Sequence, residues 1–279
     1  MASSSQKSIK IMGVLNVTPD SFSDGGKYNS ITSALKHCEQ MLYEGADIVD
    51  IGGQSSRPGA KRITAIEEKS RVLPIIKAIK NTFPKVKLSL DSFSEDVINN
   101  ALDLGIDIIN DIYALRNITN YEKLVRYNVG VVLMHMQGDP SDMQEQPSYE
   151  NVVVTVTNFL KNRINIALNN GIKKENIMLD PGFGFGKILQ HNIELLTNLQ
   201  ELNILECPIV VGISRKSMLG EITGKSVKDR TYAGIAATTI ACMYGASLIR
   251  THDVAATCDA VKVYNKVVQT EMEIKSDEV

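Results

Sequence analysis

"ITSALKHCEQMLYEGADIVDIG", residues 31–52, holds one complete structural unit. Ile31, Leu35, Cys38 and Leu42 recur at helical spacing, and Gly45 supplies a stop. The run DIVDIG (47–52) then changes to strand character. The same alternation fills the chain. Strand-like runs lie at 9–16, 47–52, 87–92, 106–111, 129–135, 177–180, 208–214 and 247–251. Amphipathic segments separate them at 30–44, 64–83, 94–104, 119–127, 150–170, 190–203, 229–245 and 253–272. Continuous Val/Ile/Leu runs belong to a parallel sheet covered on both faces. Eight such alternations in about 270 residues fit a (β/α)8 barrel better than an open doubly wound sheet. The expectation is an α/β fold, one TIM barrel over 9–272, between a disordered leader (1–8) and a polar C-terminal tail (273–279).

Composition narrows the function classes. Hydrophobic residues make up 43%, enough for a full core, and the net charge of −2 argues against a nucleic-acid footprint or a polybasic membrane anchor. The opening MASSSQKSIK is polar and lacks the apolar region of a signal peptide. The stretch 233–249 is too short and too rich in Thr and Gly to span a bilayer. Cys38, Cys207, Cys242 and Cys258 are widely separated, so neither a zinc site nor a disulfide framework is signalled. The expectation is a soluble cytoplasmic protein.

A barrel of this kind carries its active site at the C-terminal ends of its strands. Here those ends are polar or ionisable: Asn16, Asp50, Asp91, Asn110 with Asp111, His135, Asp180, Ser214, and Arg250 with His252. Asn and Asp also serve as helix caps and turn formers, and Asp50 and Asp111 admit that reading in full. Capping alone does not explain polar groups converging from six or more strands on one mouth.

The glycine-rich LDPGFGFGK (179–187) fails the P-loop pattern, with Pro181 at the first glycine position and Ile188 after Lys187. It fails the dinucleotide fingerprint too, since Gly182, Gly184 and Gly186 are spaced G-x-G-x-G. Asp91, Asn110, Asp180 and Lys216 suit a heterocycle with donor and acceptor edges, because carboxylates accept adjacent N–H groups and lysine donates. An arginine plane stacks on a flat ring. Phosphate would fall to Arg57, Arg250, His252 and backbone N–H groups.

Seven blocks occur in order: MGVLNVTPDSFSDGG (12–26), DIGGQSSRPGA (50–60), SLDS (89–92), IINDI (108–112), LDPGFGFGK (179–187), GISRKSMLG (212–220) and IRTHDV (249–254). Together they resemble the dihydropteroate synthases, over about residues 9–272. That family joins 6-hydroxymethyl-7,8-dihydropterin diphosphate to p-aminobenzoate. The resemblance implies pterin diphosphate binding by Asn16, Ser56, Asp91, Asn110, Asp180, Lys216, Arg250 and His252. Asn16 would hold a Mg²⁺ accompanying the diphosphate. Phe22, Ser56, Pro58, Phe185 and Ser214 would border p-aminobenzoate. Asp91, Lys216 and Arg250 would be catalytic, with Asp24 and Arg57 brought in by lid loops 17–28 and 53–62. Sulfonamides as competitive inhibitors and a homodimer through 233–245 and the last helix also follow from the resemblance.

The second loop departs from the family's usual G-G-E-S-T-R-P-G, having Gln54 and Ser56 in place of the acid and the threonine. Two alternatives share much of the pattern: a pterin-dependent methyltransferase of the same fold and a non-catalytic pterin-binding protein. SRKS, RTHD and the DSFSDGG loop speak against the first, and retention of Asn16, Arg57 and Lys216 against the second. His37 and His191 read as surface residues; His135 reads equally as a structural hydrogen bond or a substrate contact.

Overall fold

Strand β1 (Lys10–Asn16) pairs with β2 (Ile48–Gly52) on one side and with β8 (Ala246–Thr251) on the other, which closes the sheet. The remaining strands β3 (Lys87–Asp91), β4 (Ile108–Asp111), β5 (Gly130–Met134), β6 (Ile177–Asp180) and β7 (Ile209–Val211) stand between them in sequence order, all parallel. The computed structural model describes residues 8–17, 27–55, 59 and 62–277, with backbone only at 27–30, 272 and 275–277. The closed eight-stranded barrel expected from the alternation is present.

Around it lie α1 (Lys27–Glu44), α2 (Ala65–Thr82), α3 (Glu95–Leu102), α4 (Glu122–Arg126), α5 (Val152–Asn169), α6 (Leu189–Thr197), α7 (Ser217–Thr223), α8 (Thr231–Met243) and α9 (Val254–Asp277). The seven-residue α7 was not anticipated, because so short a segment shows no periodicity over several turns. The segment expected as one helix over 190–203 divides into α6 and a 3₁₀ stretch, Leu199–Leu205. The last helix continues past 272 to Asp277.

The bore is filled. Met12, Ile48, Ile108, Val132, Val210 and Leu248 form an apolar plug inside the barrel, with Met178 packed against it. Side chains along a strand alternate between faces. The residues two positions further along these strands therefore look into the same bore, one layer higher. On β2, β4, β6 and β8 they are Asp50, Asn110, Asp180 and Arg250. The register places Ser89 of β3 beside Asp50, and Asp91 follows two residues later. The period that builds the core thus also stacks the polar layer on top of it.

At the opposite end two aspartates stitch neighbouring strands. Asp47, just before β2, accepts from Ile11 N at 2.9 Å and from Lys10 Nζ at 2.8 Å. Asp107, just before β4, accepts from Leu88 N at 2.9 Å and from Lys80 Nζ at 2.7 Å. The lysine contacts are partly exposed and add little, so the backbone bond carries most of the benefit. Replacing Asp107→Ala is expected to lower stability by about 1 kcal/mol in urea denaturation. It should leave binding at the other mouth unchanged.

Candidate active site

Arg250 is the centre of the mouth. Its Nε donates to Asp50 Oδ2 at 2.7 Å, and its Nη2 to Asp91 Oδ2 at 2.7 Å. Asn110 Nδ2 also donates to Asp50 Oδ2, at 3.1 Å. Asp50 is fully buried and was admitted from sequence as a simple cap; in the structure it caps nothing and instead fixes Arg250 and Asn110. Asp111 is the turn former: it accepts from Tyr113 N at 2.7 Å and Leu115 N at 2.8 Å. Burial raises the Asp91 carboxyl above its ordinary range; Arg250 opposes the shift, and the carboxylates of Asp50, Glu68 and Asp111 add to it.

Asp180 ends β6 and is buried, with Oδ1 accepting from Gly182 N at 2.7 Å. Burial raises its pKa, against the pull of that N–H and of Lys216, Arg250 and Lys187. The loop after it needs its glycines. Gly182 has φ +73°, and a Cβ there would stand 1.9 Å from the His135 carbonyl oxygen. Gly186, at φ +60°, would put one 2.4 Å from the Gln137 carbonyl oxygen. The loop turns Phe185 toward Lys216, whose Nζ stands 4.0 Å from the ring centroid.

Lys216 follows β7 in a turn where Arg215 adopts φ +60°. Arg230, leading into α8, donates to the carbonyls of Arg215 at 3.1 Å and Lys216 at 3.2 Å, which pins that turn. Arg215 itself pairs with Asp253 at 2.6 Å. Across β7 and β8, Ser214 Oγ accepts from His252 N at 3.2 Å and lies 3.1 Å from His252 Nδ1. Burial and the nearby Arg250 and Arg215 lower the His252 pKa to about 4. His252 is therefore a neutral hydrogen-bonding group at neutral pH, and a diphosphate beside it would have to draw the proton in.

Asp91, Asn110, Asp180, Phe185, Lys216 and Arg250 line one narrow cleft, together with the apolar side chains of Ile112, Met134 and Phe183. Asn16 stands beside it at the end of β1. A Cβ on Gly52 would lie 3.5 Å from Asn16 Oδ1 and 3.8 Å from Asp91 Oδ2, so glycine keeps the space between them open. Among the described residues no cluster of three or more His, Cys, Asp or Glu could hold a metal. Mg²⁺ commonly keeps several waters and takes its other oxygens from substrate phosphates. One amide oxygen at an open gap fits that style of binding. Phe22, Asp24, Ser56, Arg57 and Pro58 lie outside the described residues.

Two residues given no site role from sequence belong to this architecture: Asp50, named there only as a polar strand end that could be a cap, and Lys187. Lys187 is buried, with Nζ 2.9 Å from His135 Nδ1 and donating at 2.9 Å to the carbonyls of both Gly182 and Phe185. His135 thus makes an internal contact, and burial with Lys187 nearby lowers its pKa to about 2. His37 is exposed as expected, whereas His191 is half-buried with its ring edge-on to Tyr149.

The depressed His252 pKa carries a sign. The unfolded chain takes up this proton below the ordinary value of 6.5, while the folded protein resists until about 4. Folding therefore loses this contribution as pH falls through that window, by at most about 1.4 kcal/mol per pH unit. In thermal melts, His252→Gln should lose less stability than the wild type on going from about pH 7 to about pH 4.5.

Comparison with known proteins agrees with this geometry. Residues 12–252 match the pterin binding enzyme family. The dihydropteroate synthase of Haemophilus influenzae is 48% identical, over 91% of this chain and 92% of that protein. Among solved structures, the Yersinia pestis dihydropteroate synthase in complex with a sulfonamide drug superposes with a TM-score of 0.88 at 41% identity, covering 95% of this chain and 96% of that one. The Xanthomonas albilineans dihydropteroate synthase in complex with 7,8-dihydropteroate gives 0.84 at 39% identity, covering 94% of each chain.

Proposed function

This chain belongs to the dihydropteroate synthase family of pterin-binding enzymes, and we propose that the cleft around Arg250 is where it carries out that reaction. It joins 6-hydroxymethyl-7,8-dihydropterin diphosphate to p-aminobenzoate, giving 7,8-dihydropteroate and diphosphate. The C–O bond to diphosphate breaks, the amine nitrogen bonds to the pterin methylene carbon, and the amine loses a proton. The observation that carries the reading is the convergence of Asp91, Asn110, Asp180, Lys216 and Arg250 on one cleft.

Asp180 accepts the adjacent N–H groups of the pterin, since Gly182 N occupies only Oδ1. Those donors would offset the burial that raises its pKa. Asn110 offers a mixed edge, and Lys216 donates to the ring. Arg250 presents its guanidinium to the ring face, held in plane by Asp50 and Asp91. As the leaving group departs, positive charge grows on the pterin methylene. Asp91, already surrounded by excess negative charge, gains most by meeting it. The enzyme's task is to balance charge and position the cation, because the amine attacks without activation.

Mg²⁺ held at Asn16 would neutralise diphosphate charge, aided by Arg250 and His252. Ser214 and Phe185 would meet p-aminobenzoate, together with Phe22, Ser56 and Pro58; Asp24 and Arg57 would close over the reactants. Sulfonamides would compete for the same place. The reading also includes a cytoplasmic setting; among the described residues no helix is long and apolar enough to cross a membrane.

A homodimer completes the reading. Tyr232, Met243, Val263 and Val267 are strongly exposed along a largely apolar groove between α8 and α9. A patch of that kind marks an association surface. Sedimentation should find a dimer that Tyr232→Asp shifts toward monomer.

Incubating the protein with the pterin diphosphate, p-aminobenzoate and Mg²⁺ should yield dihydropteroate and diphosphate; absence of product would sink the assignment. Asp180→Asn turns one acceptor into a donor against the pterin edge. Calorimetry with a pterin should show a loss of about 1–3 kcal/mol, with the fold intact.

A further inference from the structure

We infer that Lys187 is a positioning residue for the pterin site, acting as the internal clamp that sets the 182–186 loop against Asp180. The inference rests on the proposal that the cleft binds a pterin. Lys187 is 3% exposed, and its Nζ reaches inward, to the loop's own carbonyls. It donates to Gly182 O and Phe185 O, both at 2.9 Å, to His135 O at 3.4 Å, and meets His135 Nδ1 at 2.9 Å. No carboxylate hydrogen-bonds to it among the described residues; burial lowers its pKa to about 7, with Asp180 opposing and Lys216 adding.

Both carbonyls it grips are tied to substrate-facing groups. Gly182 supplies the N–H that orients Asp180 Oδ1 at 2.7 Å. Phe185 carries the ring beneath Lys216 Nζ at 4.0 Å. The loop's other tethers reach it from outside: Gln144 Nε2 donates to Gly184 O at 2.6 Å, Tyr149 Oη to Gly186 O at 2.7 Å, and Asn192 Oδ1 accepts from Gly184 N at 2.7 Å. Within the loop Phe185 N also donates to Gly182 O at 3.1 Å, and among the described residues Lys187 is the side chain that ties the carbonyls of both residues to the end of β5. Its removal would free the orientation of Asp180 and Phe185 together, while the charges on Arg250 and Asp91 stayed where the strands put them.

The experiment compares the wild type with Lys187→Met, and with Ile79→Val as a control that weakens the core in α2, away from the mouth. Binding of pterin-6-carboxylic acid is followed by calorimetry, and turnover by steady-state kinetics well below each protein's Tm. Lys187→Met should raise the analogue's Kd and the pterin diphosphate KM by about tenfold or more, with kcat at saturation within about threefold. Ile79→Val should lower Tm and leave both constants alone. If Lys187→Met yields no folded protein, Lys187→Gln, with two donors on a shorter arm, is measured in its place and should fall between wild type and that loss. A folded variant with wild-type Kd and KM, or one whose kcat falls while KM holds, overturns the inference. Failure of the wild type itself to bind the pterin overturns the functional reading on which it rests.

Discussion

A guanidinium shared between two buried carboxylates is the constraint on which this mouth depends. Arg250 sits 2.7 Å from Asp50 and 2.7 Å from Asp91, and the three residues come from β8, β2 and β3. Removing one member of such a set leaves a buried charge without its partner, which costs far more than the pair contributes net. The triad therefore fixes three strand ends relative to one another and allows little drift. It also requires closure: in an open sheet the last strand would not stand beside the first. Only because β8 pairs with β1 does residue 250 reach residues 50 and 91.

The same triad leaves a surplus of negative charge. Two carboxylates share one guanidinium, and Asn110 adds a neutral donor to Asp50 without adding positive charge. Among the described residues Asp50 Oδ1 and the adjacent Ser89 Oγ are buried without a hydrogen-bond partner, in the layer just above the apolar plug. Buried polar atoms in this condition are held at a cost that surrounding structure offsets. A site built this way gains from a ligand that brings N–H donors or develops positive charge, and a dihydropterin losing its diphosphate does both. The electrostatic preference is set before any ligand arrives, so little reorganisation remains for the reaction step.

Much of this was legible in the chain because one rule governs both core and site. Alternation along a strand places every second residue in the bore, so Ile48, Ile108 and Leu248 predict the direction of Asp50, Asn110 and Arg250. The sequence reading found the polar strand ends but had no means of separating Asp50 from Asp111. Both are aspartates on strands, both fully buried, yet one bonds across the barrel and the other bonds its own turn. Partner choice at that level depends on tertiary register, which local propensity does not encode. Lys187 was read only as the residue that failed a phosphate motif, since a lysine directed into the protein leaves no local mark. His252 was expected as a phosphate ligand, but its protonation state depends on burial and on Arg250 and Arg215, which only the fold brings around it.

The glycine-bearing loop beside the cleft shows how conformational freedom is used and then withdrawn. Gly182 and Gly186 take positive φ so that the loop can press against the carbonyls of His135 and Gln137, a path closed to any residue with a Cβ. Such a loop, left to itself, would lose that shape readily, because glycine has more freedom to forfeit than any other residue. The freedom is removed from both sides: Gln144, Tyr149 and Asn192 hold the outer face, and Lys187 holds the inner one. Rigid placement of Asp180 is thus a property of the loop's carbonyls as much as of β6. Under the proposed pterin contact, a carboxylate meeting two adjacent N–H groups would tolerate little misplacement, so the loop's order would be part of the recognition and not only of the fold.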